Sequence, residues 1–554
     1  MIQNIPNFIP GFQLFEQNQK DQEQKEDIEE DQKDEDDQEE EEQKQELAAD
    51  ELIDYILFPI QEEDFTQQYQ EKQPFAIRRM KQDYFKEFEL SLENIREKIV
   101  TIKQDQISDI LKFQVYEDNK VEDVQINSLD EIKEKVNKYA NNNCDCIISV
   151  EQPQFFNEKY AKIESLLESY FGTLVSLKIV NNPNGQENSI LGYKGHECFI
   201  LQISGEQTIQ AFKRNKPEFQ FPRVSSQGAV DKSELSQDLG KTKLSAGDVL
   251  YLSKGIVYSG ENESESNCQF MVIEFNKDNT WGDILERAVP SMIQQAIQET
   301  YTLRKNLPKN YLSYMGVMGS ETEANQQYDE NFNSSDEDMA EEEDDGQNIL
   351  KKQLNEKSIK RQQFIQTVKD MMMNIIENDQ IFQETLDNAI DDIGIQFTQN
   401  KMPPVENIMK KKKNSEKTQL ELEEMGDFLE ELEIRLVSKD IGRLISQPAE
   451  EEEQQQARQI CEENGEEFEP LEDIVFHHCG LNNTVRVKDQ LLNENSAPQI
   501  FPVEAAGALE QLFNAYPNYV AIMDLELENE QDKATVAETL YKNGLVTFRK
   551  IQPI

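Results

Sequence analysis

The sequence predicts an α+β protein in which a closed β architecture of the jelly-roll type precedes a helical region and a C-terminal winged helix. Three observations support this fold class. Short β-branched and aromatic segments separated by turn signals fill the N-terminal half of the chain. Segments with apolar residues at helical spacing follow them. Helices that lead into a hairpin make up the C-terminal part.

Two acidic segments set the boundaries of the folded parts. Residues 1–48 are predicted to be a disordered tail, because 18–48 consist almost entirely of Gln, Glu, Asp and Lys and have little to bury. A second acidic run, SSDEDMAEEEDDGQ from Ser334, marks a linker over 321–347. The folded parts then span 49–320, 348–425 and 426–554.

The strands of the first folded part are short and are separated by turns. They include LKFQVYED, LVSLKIV, ECFILQISG, DVLYLSKGIVYSG and CQFMVIEF, with NNPNG and SAGD as turn signals. Short strands in series with Gly-rich turns are typical of a jelly roll or of another closed β architecture. The helix-like segments ELIDYILFPI and LSLENIREKI precede most of them. We therefore expect a β domain over 49–320.

Residues 348–425 are predicted to be a helical region that forms a homodimer. The segment FIQTVKDMMMNII carries apolar residues at helical spacing, and an exposed stripe of this kind would serve as a helical interface. The stripe consists of Phe364, Val368, Met372, Ile375 and Ile376. The alternative is that the same stripe packs against the β domain.

Residues 426–554 have the order of elements of a winged helix. We predict a helix over EELEIRLVSKDIGRLI, a hairpin over EDIVFHHCGLNNTVRVKDQ, a helix over VEAAGALEQLFNAY, and a last helix followed by a strand. Helices that enter DNA normally carry Arg and Lys, whereas these carry Glu and Ala. The winged helix is therefore interpreted as a protein-contact module, with a DNA-binding regulator as the less favoured alternative.

The charge balance favours one kind of partner over another. The chain has 56 Lys and Arg against 110 Asp and Glu, which gives a formal net charge of −54. Such a field repels phosphates, so direct nucleic-acid binding is not expected, whereas a basic ribosomal protein or histone tail suits it. No secretory signal, disulfide framework or membrane-spanning run of roughly 20 apolar residues is evident. We expect a soluble intracellular protein.

The stretch SILGYKGHECFILQISG raises the question of a metal site, because it contains His196, one of three histidines in the chain. An Fe(II) facial triad needs two His and one carboxylate. The spacing His-x-Asp serves it, because residues two apart on a strand face the same side. Cys198 stands two positions after His196, and no second histidine lies within 49–320. His196 is therefore not interpreted as a metal ligand.

Several blocks of the chain, in order, resemble one protein family. They are ECFILQISG, AGDVLYLSKG, NTWGDILERAVPSMIQQA with LPKNYLSYMG, and ALEQLFNAYPNYV with ATVAETLYKNGLV. These blocks resemble the ribosomal oxygenases, nucleolar JmjC histidyl-hydroxylases that are also described as histone lysine demethylases, from about residue 51 onward. The resemblance implies a JmjC/cupin double-stranded β-helix, Fe(II) and 2-oxoglutarate as cofactors, and dimerisation in the helical region. It also implies a location in the nucleus, and within it the nucleolus.

The resemblance also assigns positions to the family's site residues. The three metal ligands of the family fall on Gly192, Lys194 and Tyr258 of this chain. The lysine that holds the 2-oxoglutarate carboxylate falls on Gln207, and a tyrosine that touches the cosubstrate falls on Val180. None of these residues supplies the contact that the family uses, and the Lys194 ammonium would repel a dication. We therefore expect no catalytic residue, no metal and no cofactor.

Lys194 is predicted to take the vacated position as a substitute cation. A buried ammonium needs a partner, and Glu274, on a later strand of the barrel, is the candidate. The alternative is that Lys194 extends out of the barrel mouth into water, with its stem over the apolar wall.

The leading hypothesis is a catalytically inactive, homodimeric JmjC protein of the ribosomal oxygenase family that binds basic clients in the nucleus or nucleolus. The alternative is an active Fe(II)/2-oxoglutarate-dependent histidyl-hydroxylase and histone lysine demethylase, which the family resemblance by itself implies. Lys410–Lys413 fit a nuclear import signal or a solvated loop equally well. Ser334 and Ser335 precede acidic residues, as kinase sites and plain exposed serines both do.

Overall fold

A computed structural model describes most of the chain. The described residues are 13–16, 49–317, 345–405 and 431–551, apart from short gaps at 102–106, 118–119, 125, 127, 141–145, 184–186, 217, 219, 263–266, 465–467, 469, 480–485, 488–489 and 492–496. Residues 13–16 of the tail predicted over 1–48 form a strand, which corrects the prediction of disorder for those four residues. The rest of that tail as far as residue 48, most of the linker, Ser334, Ser335 and Lys410–Lys413 lie outside the described residues.

The N-terminal part is built on thirteen strands within the described residues. They are β1 (Gln13–Glu16), β2 (Phe75–Arg78), β3 (Leu111–Glu117), β4 (Lys120–Asp123), β5 (Ile147–Val150), β6 (Ser176–Asn182), β7 (Glu187–Tyr193), β8 (Glu197–Ser204), β9 (Glu206–Arg214), β10 (Leu235–Ser245), β11 (Val249–Leu252), β12 (Val257–Glu261) and β13 (Cys268–Phe275).

These strands form two sheets. As far as the chain is described, the larger sheet has nine strands in the order β1-β2-β11-β8-β13-β6-β5-β3-β4, and the smaller has four in the order β10-β9-β12-β7. The described pairings are antiparallel apart from β1 with β2. Closely paired antiparallel sheets with crossing connections are what a jelly roll requires, so the predicted fold class is confirmed.

Strand alternation divides the side chains of the larger sheet between two cores. On β8, Phe199 and Leu201 face an outer core, whereas Cys198 and Ile200 face an inner one. The inner core includes Ile209 of β9 and therefore lies between the sheets. Each fully buried side chain of this size contributes roughly 1.5–3 kcal/mol.

Among the described residues, the four longest helices beside the larger sheet supply residues to its outer core. They are α1 (Ala49–Leu57), α2 (Leu92–Lys98), α3 (Leu129–Ala140) and α4 (Glu158–Phe171). Helix α4 begins where the Asn157 side chain accepts a hydrogen bond from the Lys159 amide at 3.0 Å. It ends at Gly172, whose φ of 64° closes the last turn. Tyr160 and Leu167 of α4 are fully buried in the outer core.

Residues 280–393 form a compact unit of their own. Its helices are α5 (Trp281–Glu299), α6 (Asp345–Ile376) and the greater part of α7 (Asp379–Asn400). A capping box between Thr280 and Asp283 starts α5. Met292 and Ala296 of α5 pack against Ile375 and Ile381 in a small core.

The apolar stripe predicted on α6 is only partly exposed. Phe364 stacks on Tyr311 with ring centroids 6.0 Å apart, and Ile375 is buried in the small core. The predicted stripe is therefore not exposed at these two residues, which contact Tyr311, Met292 and Ala296 from outside residues 348–425. Val368, Met372 and Ile376 of the stripe are exposed.

The C-terminal part has its own core and eight strands within the described residues. The strands are β14 (Leu432–Leu436), β15 (Gly442–Pro448), β16 (Glu472–His478), β17 (Arg486–Val487), β18 (Gln490–Leu491), β19 (Gln499–Pro502), β20 (Val520–Ala521) and β21 (Val546–Lys550). The helices are α8 (Glu451–Asn464), α9 (Ala506–Ala515) and α10 (Glu530–Lys542). The predicted helix before the final strand, the strand itself, and α9 are present.

Two sequence predictions for this part are wrong. The segment EELEIRLVSKDIGRLI forms β14 and β15 rather than a helix, because buried Leu432, Ile434 and Leu436 alternate with less buried residues as on a strand. The expected hairpin over 472–490 is also absent from the described pairings: β16 pairs with β15 and β19, and β17 pairs with β18.

A buried charge cluster, formed by Arg486, Glu168, Lys401 and Asp440, joins α4 to the C-terminal part. Arg486 Nη2 lies 2.6 Å from Glu168 Oε1, and both side chains are almost fully buried. The other Glu168 oxygen accepts a hydrogen bond from the Met402 amide at 2.6 Å. Lys401 forms an ion pair with Asp440. The ion pair between Arg486 and Glu168 explains why the segment that contains Arg486 does not form the expected hairpin with β16.

None of the helices in the described residues is long and apolar enough to cross a membrane.

Candidate functional site at the barrel mouth

The residues predicted to be lost metal ligands meet at one end of the barrel. Gly192 on β7 and Tyr258 on β12 are direct cross-strand partners. Lys194 follows β7 directly and lies in the turn before β8, rather than on a continuous strand as the sequence alternation suggests. The amide of Gly255, in the turn between β11 and β12, donates to the Lys194 carbonyl at 3.0 Å. We call these two turns and their flanking strand ends the barrel mouth.

Lys194 is paired with Glu274, as predicted. Its Nζ lies 2.9 Å from Glu274 Oε1, and the two side chains keep 34% and 19% of their surface accessible to water. Protein atoms surround Lys194, yet a third of its side-chain surface is accessible to water. Water therefore screens the electrostatic interaction between Lys194 and Glu274. Neither sequence alternative describes the residue fully, because Lys194 is both paired and half-exposed.

The pair shifts the ionisation of both members. The Glu274 carboxylate raises the pKa of Lys194 above its ordinary value and outweighs the opposing effect of desolvation. Burial opposes ionisation of Glu274, but the Lys194 ammonium and then His196 outweigh it, so the pKa of Glu274 lies well below its usual range. Lys194 and Glu274 are therefore both charged at neutral pH.

His196 is buried beside the pair. Its Nε2 lies 3.3 Å from Glu274 Oε2, but the geometry is not that of a hydrogen bond, and the nitrogen has no hydrogen-bond partner among the described residues. His196 lies in the turn after Lys194 and approaches Glu274 from there. Burial raises the pKa of the neighbouring Cys198 thiol to about 12, with Glu274 adding to the effect.

A row of alternating charges, which sequence reasoning missed, leads across the larger sheet to the mouth. Lys178 Nζ lies 3.0 Å from Glu151 Oε1, and Lys112 Nζ lies 3.6 Å from Glu151 Oε2. Lys178 in turn lowers the pKa of Glu274, after Lys194 and His196. The available signal was the position of Lys178 within LKIV, two residues from the inner-core residue Val180.

The positions assigned to the cosubstrate contain no cation. Gln207 is buried at the start of β9, and its Nε2 donates to Gln202 Oε1 at 2.6 Å. Val180 is buried in the inner core and pairs with Phe270 of β13. An amide already bonded to a second amide and an apolar branched side chain do not provide the charged contact that a dicarboxylate needs.

The residues at the mouth do not fit a ferrous ion. The side chain of glycine offers no ligand atom, and the Lys194 ammonium carries a positive charge and occupies the Glu274 carboxylate. Of the described ligand-type side chains, His196 and Glu274 approach each other, and burial keeps the neighbouring Cys198 a neutral thiol. Within the described residues, no group of three or more His, Cys, Asp or Glu side chains is arranged to hold a metal.

The two histidines of the C-terminal part lie far along the chain from this mouth. His478 is buried and His477 is half-buried on β16, because successive side chains of a strand point to opposite faces. Burial lowers the pKa of both imidazoles.

Two family models match the chain. The JmjC domain model matches residues 149–280, which include the barrel mouth. The model described as the C-terminal winged helix domain of ribosomal oxygenase 1 matches residues 486–551. The architecture and these matches define a JmjC-domain protein that carries a winged helix.

Named relatives match about three quarters of this chain at low identity. The Dictyostelium discoideum protein named bifunctional lysine-specific demethylase and histidyl-hydroxylase NO66 is 23% identical over 405 residues, which are 73% of this chain and 65% of that protein. Gallus gallus ribosomal oxygenase 1 is 21% identical over 411 residues, 73% of this chain and 57% of that protein. The chain thus spans less than two thirds of the length of these relatives.

A solved structure of Escherichia coli ycfD is 13% identical and covers 88% of this chain and 98% of its own, with a TM-score of 0.38. From the two family models and the named relatives, the chain is a JmjC protein of the ribosomal oxygenase family. The predicted family, jelly roll and winged helix are confirmed.

Proposed function

We propose that this protein has lost Fe(II)/2-oxoglutarate chemistry and acts as a binding protein for a basic ribosomal protein or histone tail. One observation carries the proposal: the Lys194–Glu274 ion pair stands beside the Gly192–Tyr258 cross-strand pair, where the family's three ligands are assigned. A fixed ammonium replaces a ligand, and a second ligand position has no side chain. The relatives' names describe demethylation and hydroxylation, and those activities are not assigned to this chain.

The loss of catalysis is tested by titrating the purified protein with Fe(II) and by measuring succinate formed with 2-oxoglutarate and a basic protein substrate. We expect no stoichiometric iron and no succinate above background. Tight iron binding or succinate production would support an active oxygenase and overturn the proposal.

A ligand-restoring variant tests whether the barrel is the frame of an oxygenase site. Gly192→His, Lys194→Asp and Tyr258→His together remove the ammonium and supply three donors on positions that adjoin in the fold. We expect measurable binding of a divalent metal by calorimetry. The control is Tyr258→His alone, which leaves the ammonium in place. A folded triple variant that binds no metal would contradict the assignment of these positions.

The proposal that the client is a basic protein segment follows from the net charge of this protein. A net charge of −54 draws basic segments toward the protein and speeds their encounter. Among the described residues, the row at the mouth has three lysines, Lys112, Lys178 and Lys194, against two glutamates, so we assign the basic contacts to the remaining acidic surface. Binding of a histone-tail peptide should weaken steeply with added salt. Deleting residues 18–48 separates the tail from the body, and salt-insensitive binding would contradict the electrostatic basis.

A client of this kind places the protein in the nucleus and, if it is a ribosomal protein during assembly, in the nucleolus. Imaging of a fluorescent fusion in cells tests this, and replacing Lys410–Lys413 by alanine tests whether that run directs import. A fusion that is confined to the cytosol would contradict both proposed client classes, the histone tails and the ribosomal proteins during assembly.

We further propose a homodimer through the exposed part of the α6 stripe. Val368, Met372 and Ile376 are 45%, 37% and 45% exposed. They are spaced four residues apart on one face of α6, and a contiguous apolar patch of this kind marks an interaction surface. Val368→Asp with Met372→Asp should give a monomer in sedimentation. Phe364 is unsuitable for this test because it stacks on Tyr311 within the unit. Met373→Asp, which changes an exposed neighbour outside the stripe, is the matched control.

A further inference from the structure

A segment that we call the strap, residues 221–226, lies directly on both turns of the barrel mouth. A Cβ on Gly195 would lie 2.8 Å from a backbone oxygen of the strap, and a Cβ on Gly255 would lie 2.7 Å from its proline ring. Neither position has room for a side chain while the strap is in place. The strap therefore lies beside Lys194 and Lys254, the residues directly before the two glycines.

Hydrogen bonds hold the strap to the end of β7. The Ser226 amide donates to the Tyr193 carbonyl at 3.0 Å, and the Tyr193 amide donates to Ser226 Oγ at 3.1 Å. The Gly195 amide donates to Ser225 Oγ at 3.0 Å. These contacts fix the strap in place, so that the strap and the two turns form one rim around the mouth.

The charged side chains of this rim are basic. The two turns and the strap contain Lys194, Arg223 and Lys254 but no Asp or Glu, in a chain with a formal net charge of −54. Glu274 reaches the mouth from β13, and Lys194 neutralises it at 2.9 Å. Glu197, at the start of β8, is engaged elsewhere, because its carboxylate accepts hydrogen bonds from the Tyr251 phenol and the Asn276 amide. The rim therefore has a local excess of positive charge.

Lys254 is a cation of the rim that has no counterion among the described residues. The residue is only 9% exposed, and it continues the alternate positions Leu250 and Leu252, which face the inner core. No hydrogen bond or ion pair within the described residues reaches its ammonium, and Nζ is not sealed from water. A lysine that has lost most of its contact with water is stabilised by an anion that approaches through the remaining opening.

His196 provides a second polar atom without a partner in the mouth. The residue is 7% exposed, and its Nε2 is buried with no hydrogen-bond partner among the described residues. It faces Glu274, whose nearer oxygen lies 3.3 Å away. Buried polar atoms are normally hydrogen-bonded, so this nitrogen is available to a polar group of a ligand.

Two large apolar side chains of the strap adjoin these polar groups. Phe221 is 52% exposed and Val224 is 65% exposed. The backbone of Phe221 lies against Gly255, and that of Val224 lies against Gly195, so each apolar residue stands next to a lysine-bearing turn. Exposed apolar side chains held on a fixed frame are typical of a contact surface. The rim thus presents cations and apolar side chains side by side.

We propose that the barrel mouth binds an acidic segment of a partner protein. One carboxylate of the segment pairs with Lys254, and a neighbouring apolar side chain packs on Phe221 and Val224. The field of the whole chain repels anions in general, so the site selects a segment that supplies both kinds of contact. The inference is independent of the proposed basic client, which contacts the acidic surface elsewhere, and of the loss of catalysis.

The observations favour an acidic protein segment over a single-stranded nucleic acid. A nucleic acid brings one phosphate per nucleotide toward a chain with a net charge of −54. Its bases also require aromatic faces for stacking, and Val224 offers none. An acidic segment needs only a short stretch of charge and gains from an aliphatic contact.

Fluorescence anisotropy with the full chain, at one fixed ionic strength, measures the binding of two labelled synthetic peptides. In the first peptide Asp and Glu alternate with Leu and Phe, and in the second Ser replaces Leu and Phe. The first peptide should bind at least about tenfold more tightly than the second. Lys254→Met, which keeps most of the stem and removes the charge, should weaken both peptides by about tenfold or more, whereas Lys254→Arg should keep the affinity within about threefold.

The strap is tested by Phe221→Ser with Val224→Ser, which should weaken the first peptide and leave the second unchanged. Two matched controls should leave both affinities unchanged. Lys241→Met removes an exposed lysine of β10, in the same sheet as β12. Met80→Ser with Val100→Ser removes two apolar side chains that are 70% and 55% exposed away from the strap in the sequence.

Several outcomes would overturn the proposal. No binding of the first peptide, or equal losses in Lys254→Met and Lys241→Met, would show that the mouth holds no acidic segment. A loss in Lys254→Arg as large as in Lys254→Met would show that packing and not charge is responsible. Complete displacement of the peptide by free 2-oxoglutarate, with no advantage of the first peptide, would indicate a site for small carboxylates. Tighter binding of an oligouridylate or of a lysine-rich peptide at the mouth would indicate a nucleic-acid site or the basic client's site instead.

Discussion

The chain holds two clusters of paired charges that differ in their access to water. In the buried charge cluster, Arg486 and Glu168 keep 3% and 0% of their side-chain surface exposed, and both find further partners. Arg486 donates to the carbonyls of Asn400 and Val175, and the Glu168 oxygens accept from the backbone amides of Val175 and Met402. At the mouth, Lys194 and Glu274 are 34% and 19% exposed.

The comparison shows that a pair of charges can stabilise the fold in one place and remain accessible to a ligand in another. A buried charge is tolerated only when its pairing and hydrogen bonds replace water, so the buried cluster is a joint between two cores. The mouth pair retains access to water, and the adjacent His196 Nε2 has no hydrogen-bond partner among the described residues. The mouth is therefore able to exchange water for a ligand group, and the buried cluster is not.

The largest expected effect comes from breaking the buried cluster. Arg486→Met leaves Glu168 charged and without its guanidinium partner in the interior, which should lower the free energy of unfolding by about 3–5 kcal/mol. Denaturant unfolding of the full chain measures it. Adding Glu168→Leu to the same variant removes the stranded carboxylate and should recover part of the loss. A single variant as stable as the unaltered protein would show that the two cores do not depend on this joint.

The second largest loss of stability is expected from a change in the turns that form the barrel mouth. Gly195→Ala inserts a Cβ at 2.8 Å from the backbone of Arg223, which belongs to the strap (residues 221–226). The resulting displacement should lower the free energy of unfolding by about 1–3 kcal/mol. Gly228→Ala is the matched control in the same connection, because nothing lies within 4 Å of its added Cβ. Equal effects of the two changes, measured by denaturant unfolding, would contradict the close approach of the strap.

Breaking the mouth pair should have a smaller effect than breaking the buried one. Lys194→Met should lower the free energy of unfolding by about 1 kcal/mol, because water screens a half-exposed pair and solvates the remaining Glu274. Glu274→Gln, which removes the charge and keeps the shape, is the companion variant. A loss as large as that of Arg486→Met would show that the mouth pair is structural in the same sense.

The smallest expected effect is the pH dependence of the difference in stability between the unaltered protein and Lys194→Met. The pKa of Glu274 is lowered from 4.5, so its pairing stabilises the fold above about pH 4.5 and loses that effect as the pH falls through the folded value. The pKa of Lys194 is raised, so its contribution is complete below the ordinary lysine pKa. The difference between the unaltered protein and Lys194→Met should therefore stay constant from about pH 6 to pH 9 and shrink in acid. A difference that grows in acid would contradict the assigned direction.

Local patterns explain which elements could be predicted. Alternation along ECFILQISG predicts a strand with two faces, and Glu274 is a predictable partner of Lys194 because it continues the inner-facing series Phe270 and Val272. The same rule, applied to EELEIRLVSKDIGRLI, would have identified β14, but the charged residues between its apolar positions also suit a helix.

Contacts between distant residues explain what could not be predicted. The local pattern predicts Phe364 as an interface residue, but Phe364 stacks on Tyr311. The local pattern also predicts Arg486 in a hairpin, but its guanidinium pairs with the distant Glu168. The strap approaches Gly195 from almost thirty positions further along the chain, and no periodicity links the two.

The sequence by itself determined the family, the order of the JmjC and winged-helix domains, and which residues stand at the positions that the resemblance assigns to metal ligands, because these depend on residue identity and local spacing. The tertiary structure decided that Gly192 faces Tyr258, that Lys194 is paired yet half-exposed, and that a strap lies over both turns of the mouth. Those facts depend on how strands far apart in the chain are brought into register. Pairing, burial and access to water are set by that packing and not by any local pattern.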